Sequence, residues 1–166
     1  LLPGNIRDVK AFSLSLKEAQ ISDATIIADK GFFSEDNIDQ LLNDKLNFLI
    51  PLRRNNSLVN YEQLGGNKSY FKHHSSYVWF KKFKVKQLTI YVFLNSDLFT
   101  QEEKDYLTRI ESHPEEYSFE EFTKKRPTFG TLAIASNLDR EPQEIYTLYK
   151  TRLDIEQTFD TLKHIL

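Results

Sequence analysis

Two short apolar runs near the N-terminus, separated by a capped helix, constrain the fold most strongly. Residues 24–28 read ATIIA and residues 47–52 read NFLIPL, and short runs of this kind are typical of buried strands. Between them, Ser34 can cap a helix whose first turn holds Glu35 and Asp36, where acids favour the helix dipole. A strand, a helix and a strand at this spacing predict a βαβ unit with parallel strands, and therefore an α/β fold.

The middle of the chain changes character and predicts an inserted β-rich subdomain. Residues 53–74 are mostly polar, whereas residues 77–85 and 87–94 are strongly β-forming and predict two neighbouring antiparallel strands. Charged helices, interrupted at Pro114, are expected over residues 101–123. The pattern divides the chain into residues 1–52, 53–128 and 129–166.

The last segment predicts a strand and then one long helix with a polar stripe. Residues 131–136 read TLAIAS as the strand, and residues 141–166 follow as the helix, with Pro142 in its first turn. Four polar side chains on this helix fall within an arc of about 60°, namely Tyr149, Arg152, Glu156 and Lys163. A neighbouring apolar stripe is suited to packing and holds Leu148, Ile155, Phe159, Leu162 and Leu166. One carboxylate, two cations and a phenol on one stripe are suited to hold phosphate and a metal ion together.

Composition excludes several classes of protein. Cysteine is absent, which excludes disulfides, thiolate zinc sites and cysteine nucleophiles. No apolar run approaches the length of a membrane span and no signal-peptide pattern is present, so an intracellular soluble protein is expected. Methionine is absent even at position 1, so the chain is expected to begin inside a longer reading frame.

Charge is distributed unevenly along the chain. The net charge is −2, but residues 51–95 hold eight Lys or Arg against one acid, Glu62. Residues 96–126 then hold nine acids against five bases. Two solvated faces of opposite charge are the simpler explanation of this pattern, and on charge alone it is the favoured one.

Three parts of the sequence resemble one family. The spacing Y-x2-R-x3-E-x6-K, from Tyr149 to Lys163, is similar to the YREK signature of bacterial insertion-sequence transposases with a DDE catalytic site. The segment ATIIADKGFFSEDNIDQLL resembles the region around the second catalytic aspartate of that family, here Asp29. The opening LPGNIRDVKAF resembles the stretch that precedes it.

The resemblance implies the C-terminal part of a catalytic domain. Its fold would be a partial ribonuclease-H-like core, made of the βαβ unit and the C-terminal helix, with the β-rich subdomain inserted. Asp29 and Glu156 would be the second and third acids and would bind Mg²⁺ or Mn²⁺. The first acid would lie N-terminal to Leu1, and without it little or no catalysis is expected.

The resemblance also implies DNA as a partner, with a transposase homodimer in the synaptic complex. Tyr149, Arg152 and Lys163 would contact phosphates of the transposon end. A looser DNA surface would come from the basic stretch, namely Arg53, Arg54, Lys81, Lys82 and Lys84. The expected location is the bacterial cytoplasm, in association with the nucleoid.

Simpler interpretations accompany each assignment. Asp29 also fits a helix-start acid, and Glu156 fits a surface acid paired with Arg152. Trp79 fits a base-stacking role, but core packing is favoured for an aromatic residue on such a strand. The adjacent His73 and His74 lack acid partners at metal-ligand spacing, so no metal role is assigned to them.

Two functional alternatives follow from the same residues. One is a catalytically inactive transposase remnant that folds, or pairs with another chain, without the first acid. The other is a different metal-dependent nuclease on the same fold, which would cut DNA without a preference for paired inverted-repeat ends.

Overall fold

The computed structural model describes residues 25–59, 61 and 69–163, with side chains described as far as residue 152. Six strands of this part form one mixed sheet in the order β1-β2-β6-β5-β4-β3. The described elements are β1 (Thr25–Ile27), α1 (Glu35–Asn43), β2 (Asn47–Pro51), β3 (Tyr70–His73), β4 (Ser76–Val85), β5 (Leu88–Asn95), α2 (Ser96–Ser112), α3 (Phe119–Lys125), β6 (Thr131–Ser136) and α4 (Pro142–Lys163), with 3-10 turns at Lys30–Phe32 and Arg126–Thr128.

The predicted βαβ unit is confirmed. Strands β1 and β2 are parallel, with Ile26 beside Phe48. The Ser34 side chain caps α1 by accepting a hydrogen bond from the Asn37 amide. Helix α1 then buries Leu41 against Phe48 and the other apolar residues of these strands, and this burial, more than the cap, stabilises the unit.

The predicted antiparallel pair is confirmed as β4 and β5, which pair from Val78 with Asn95 to Val85 with Leu88. Strand β3 lies in a segment that the sequence predicted to be a polar connection, so that prediction was wrong at Tyr70–His73. Only Phe71 of this strand is buried. A strand with one buried side chain at the edge of the described sheet has too little apolar alternation to be recognised.

Both faces of the sheet are covered, by different parts of the chain. Ile145, Tyr146 and Tyr149 of α4 pack on one face, against a cluster that includes Phe93 and Ile134. On the other face lie α1 and a connection in which Leu52, Val59 and Tyr61 cover the middle strands. The mixed α/β class is therefore confirmed.

The charged helices form beside the sheet, with a gap at Pro114 as predicted. Helix α2 begins at Ser96, five residues before the predicted start, because Asn95 caps it directly at the end of β5. A small core of Tyr106, Phe122 and Phe129 joins α2, α3 and the entrance to β6.

The strands of all three predicted segments join the one sheet, and the division into residues 1–52, 53–128 and 129–166 stays a prediction. The first of these segments includes residues 1–24, which lie outside the described residues. Within the described part, no helix is long and apolar enough to cross a membrane.

Candidate active site

Asp29 lies two residues beyond the end of β1 and is exposed. Its Oδ1 accepts a hydrogen bond from the Lys30 amide at 2.6 Å and so caps the 3-10 turn Lys30–Phe32. The capping role of the simpler interpretation is therefore present. A carboxylate has two oxygens, so one capping bond is compatible with cation binding through the other.

A cavity of about 580 Å³ lies at the same end of the sheet. We call it the cationic cavity, and its described lining consists of Lys30, Pro51, Leu52, Arg53, Arg54, Tyr61, Thr131, Leu132, Ala133 and Tyr149. Three of the residues predicted to contact DNA therefore line one cavity, Arg53, Arg54 and Tyr149. Lys30, which follows Asp29 in the chain, adds a third cation to this lining.

The direction of α4 explains how Tyr149 reaches this cavity. The helix begins after the loop that follows the end of β6, yet Tyr149 shares the cavity lining with Thr131 and Leu132 at the start of β6. Helix α4 therefore runs back along the sheet. Since β6 is antiparallel to β2, and β2 is parallel to β1, the helix approaches the end of the sheet that carries Asp29.

Tyr149 itself is 8% exposed and belongs to the main core. The helical arc predicted from the sequence thus begins at a residue that packs against the sheet, while Arg152, three positions later, is only partly buried. Glu156 and Lys163 lie on the same helix, but their side chains are outside the described residues. At 1.5 Å per residue, the Glu156 backbone lies about 10 Å beyond that of Tyr149 along the helix axis.

Arg54 is held in place by an acid that the sequence did not single out. Its Nη2 lies 2.7 Å from Oε1 of Glu102 on α2. The other oxygen of Glu102 accepts a hydrogen bond from the Gly130 amide at 3.0 Å. The Glu102 carboxylate thus connects α2 both to the residue before β6 and to an arginine of the cationic cavity. These residues are far apart in the sequence, so local sequence patterns could not predict the contacts.

Tyr61 forms part of the cavity wall and is 7% exposed. Its buried hydroxyl has no hydrogen-bond partner among the described residues. Burial raises the pKa of Tyr61, while the charge of Arg54 acts in the opposite direction. The phenol therefore remains a neutral hydrogen-bond donor at neutral pH.

The lysines of β4 lie elsewhere. Lys82 and Lys84 lie 2.5 and 2.8 Å from the two carboxylate oxygens of Asp139, in the loop before α4. Strand β4 is three strands away from β2 in the sheet. The two halves of the predicted basic surface are therefore not brought together, and Lys81 points to the opposite face of β4 from its neighbours on the strand.

The remaining candidates lie on the outer strands. Trp79 is half-buried, and its ring centroid lies 5.3 Å from that of Tyr70, which is exposed. The rings of His73 and His74 lie edge to face at 4.4 Å, and His73 also packs on Tyr146 at 5.0 Å.

The described residues contain no group of three or more His, Asp or Glu that could hold a metal ion. Of the two predicted metal ligands, Asp29 has a described side chain, and its exposed carboxylate is the type of ligand that Mg²⁺ and Mn²⁺ prefer. Asp29 therefore fits as one ligand of a divalent ion.

Fold and site together define a mixed α/β protein with an exposed acid beside a cationic cavity, an arrangement suited to phosphate chemistry. A family model described as Transposase DDE domain matches residues 1–166, the whole chain. The chain therefore belongs to the transposase DDE domain family, which consists of enzymes of transposition that bind DNA and generally use divalent metal ions. Searches of curated proteins and of solved structures found no match.

Proposed function

We propose that this chain is part of an insertion-sequence transposase with the YREK signature. It cleaves DNA at transposon ends and joins 3′-ends to target DNA by metal-dependent phosphoryl transfer. In this proposal Asp29 and Glu156 supply two of the three acids that bind Mg²⁺ or Mn²⁺. The enzyme acts as a homodimer in the synaptic complex, in the bacterial cytoplasm.

One observation carries the proposal: Tyr149 of α4 and Lys30, the neighbour of Asp29, line the same cavity. The spacing from Tyr149 to Glu156 is about two helical turns. At Tyr149 the helix has reached the end of the sheet that carries Asp29. Its next two turns, which lead to Glu156, therefore extend beyond that end. This direction is the one in which a carboxylate at position 156 and an aspartate at position 29 can meet at one ion.

A ribonuclease-H-like core is the fold that we propose for this arrangement. Its support is the parallel βαβ unit with an acid two residues after the first strand, and a long helix that runs back to the same end of the sheet after an intervening β-rich segment. Acids at the carboxyl ends of parallel strands are positioned by backbone that the sheet holds rigid, which is the form of preorganisation that phosphoryl transfer needs.

In this proposal the metal ions stabilise charge, and the side chains of α4 position the DNA. Divalent ions, when bound, stabilise the charge that develops on the phosphate oxygens. Arg152 and Lys163 orient the phosphates of the transposon end, Arg as a bidentate donor and Lys as a point charge. Tyr149 packs in the core and fixes the helix from which these cations project. Lys81, Lys82 and Lys84 would provide a separate DNA-backbone contact.

Calorimetric titration with Mn²⁺ tests the pairing of the two acids. The parent chain should bind the ion, and both Asp29→Ala and Glu156→Ala should abolish binding. Asp39→Ala removes an exposed acid of α1 and is the matched control, which should bind as the parent does. Absence of binding by the parent, or binding that neither substitution changes, would contradict a shared site.

A further inference from the structure

We propose that the cationic cavity is a phosphate subsite, which holds one backbone phosphodiester of the DNA beside Asp29. The inference rests on the proposed function for the identity of the ligand as DNA. It goes further by assigning a cavity, and three cations within it, to a single phosphate.

The chemistry of the wall favours an anion. Lys30, Arg53 and Arg54 contribute three cations, and none of the described lining residues is acidic. Apolar side chains close the space between the cations, namely Pro51, Leu52, Leu132 and Ala133. Concave walls of low polarity focus the field of the charges that line them. A volume of about 580 Å³ is in the range of small-ligand sites and has room for a phosphodiester with part of its sugar.

Arg53 and Arg54 differ in whether the guanidinium already has an ion-pair partner, and this difference gives them separate roles. Arg54 is anchored by Glu102 at 2.7 Å, which occupies part of its five-donor fork and fixes its orientation. Arg53 is exposed and forms no ion pair with the described residues. Of the two arginines, Arg53 is therefore the one whose charge is available to a ligand, and Arg54 is the rigid donor beside it.

Tyr61 adds an independent observation. Its hydroxyl is buried in the wall and has no hydrogen-bond partner among the described residues. A buried donor without an acceptor has lost its hydrogen bonds to water without replacing them, which is unfavourable. Phosphate oxygens are strong acceptors, so a small shift of this ring on phosphate binding would give the Tyr61 hydroxyl an acceptor.

Titration of the isotopically labelled chain with inorganic phosphate, followed by NMR in the presence of EDTA, tests the proposal without metal or DNA. The shifted amides should cluster at Lys30, Arg53, Arg54 and Thr131. Arg53→Gln should weaken phosphate binding roughly tenfold, the loss expected for one charge-assisted hydrogen bond. Lys86→Gln, in the turn between β4 and β5, removes an exposed charge elsewhere and should leave the affinity unchanged.

Shifts centred on Lys82 and Lys84, or an affinity that Arg53→Gln leaves unchanged, would overturn the subsite. Arg54→Gln is the second variant and should also weaken binding. The proposed phosphate subsite and the proposed metal site can be tested independently. Asp29→Asn should abolish Mn²⁺ binding and leave phosphate binding in place. A parent chain that binds Mn²⁺ but not phosphate would refute the subsite alone, and one that binds phosphate but not Mn²⁺ would refute the metal site alone.

Discussion

Tyr149, near the middle of the last helix, and Lys30, in the turn that follows the first described strand, line the same cavity although they are 119 positions apart in the sequence. Three pairings produce this relationship: β1 parallel to β2, β2 antiparallel to β6, and α4 folded back along the sheet. The family resemblance implies that the region around Asp29 and the last helix lie close together, and among the described residues Lys30 and Tyr149 do so.

Gly130 occupies a position that no other residue fits. Its φ is +64°, and an added Cβ would lie 2.6 Å from the Phe99 amide nitrogen. Gly130→Ala should therefore lower the free energy of unfolding by about 2 kcal/mol or more, from left-handed backbone strain and a clash with rigid backbone. Urea denaturation measures the change.

The matched control for that prediction is Gly31→Ala. An added Cβ at Gly31 meets nothing within 4 Å, and the expected change in unfolding free energy is within about 0.5 kcal/mol, or slightly stabilising. Equal effects of the two substitutions would show that the close approach of Gly130 to α2 is wrong.

Tyr91 secures the loop that starts α4. Its hydroxyl accepts a hydrogen bond from the Arg140 amide at 2.9 Å and lies 2.9 Å from the Leu138 carbonyl oxygen, to which it donates. Tyr91→Phe should destabilise the protein by about 1–3 kcal/mol, because it leaves part-buried backbone groups without partners. Tyr77→Phe, at a half-exposed ring on β4, should change stability by no more than a few tenths of a kcal/mol.

Asp139 should make stability depend on acid pH. The ammonium groups of Lys82 and Lys84 lower the pKa of this carboxyl from 3.8 to about 2. Because the unfolded chain binds the proton more readily, the stabilisation by Asp139 is complete above about pH 5 and is lost as the pH falls from 4 to 2. The stability difference between the parent and Asp139→Asn should shrink over that window.

Denaturation midpoints measured from pH 2 to 7 check this dependence. Lys84→Gln removes one of the two partners, so part of the pH dependence of the Asp139→Asn difference should disappear in that background. A difference that stays constant from pH 7 to pH 2 would mean that the carboxylate is not held by the two lysines in solution.

Asp29 is expected to have two roles, capping a turn and binding a metal ion, which different substitutions should separate. As a cap it accepts from the Lys30 amide, and Asn caps nearly as well as Asp, whereas Ala does not. Asp29→Asn should therefore keep the parent's stability and lose Mn²⁺ binding. Asp29→Ala should lose Mn²⁺ binding and about 0.5–1 kcal/mol of stability. If Asp29→Asn binds Mn²⁺ as well as the parent does, the carboxylate has only the capping role.

Local patterns predicted the elements of this fold better than the contacts between them. The cap at Ser34, the parallel β1 and β2 and the β4–β5 pair follow from features within a few residues of one another. Strand β3 was missed because Phe71 is its only buried side chain.

Long-range contacts of the candidate site carried no sequence signal. Glu102 meets Arg54 across 48 positions, and nothing in either residue's neighbourhood marks the pair. The helical period placed Tyr149 and Arg152 on one stripe, but it could not show that the sheet would cover Tyr149. A period identifies which residues share a face, whereas tertiary packing decides which face is buried.

The most direct test of the central claim is paramagnetic mapping of bound Mn²⁺ by NMR, since the claim is that α4 brings Glu156 to Asp29 at one ion. Bound Mn²⁺ should broaden two groups of amide signals together, those near Asp29 and those around position 156 of α4. Both effects should vanish in Asp29→Asn and in Glu156→Gln, and both should persist in Asp39→Asn. Broadening at only one of the two regions, or broadening that survives both substitutions, would contradict the account.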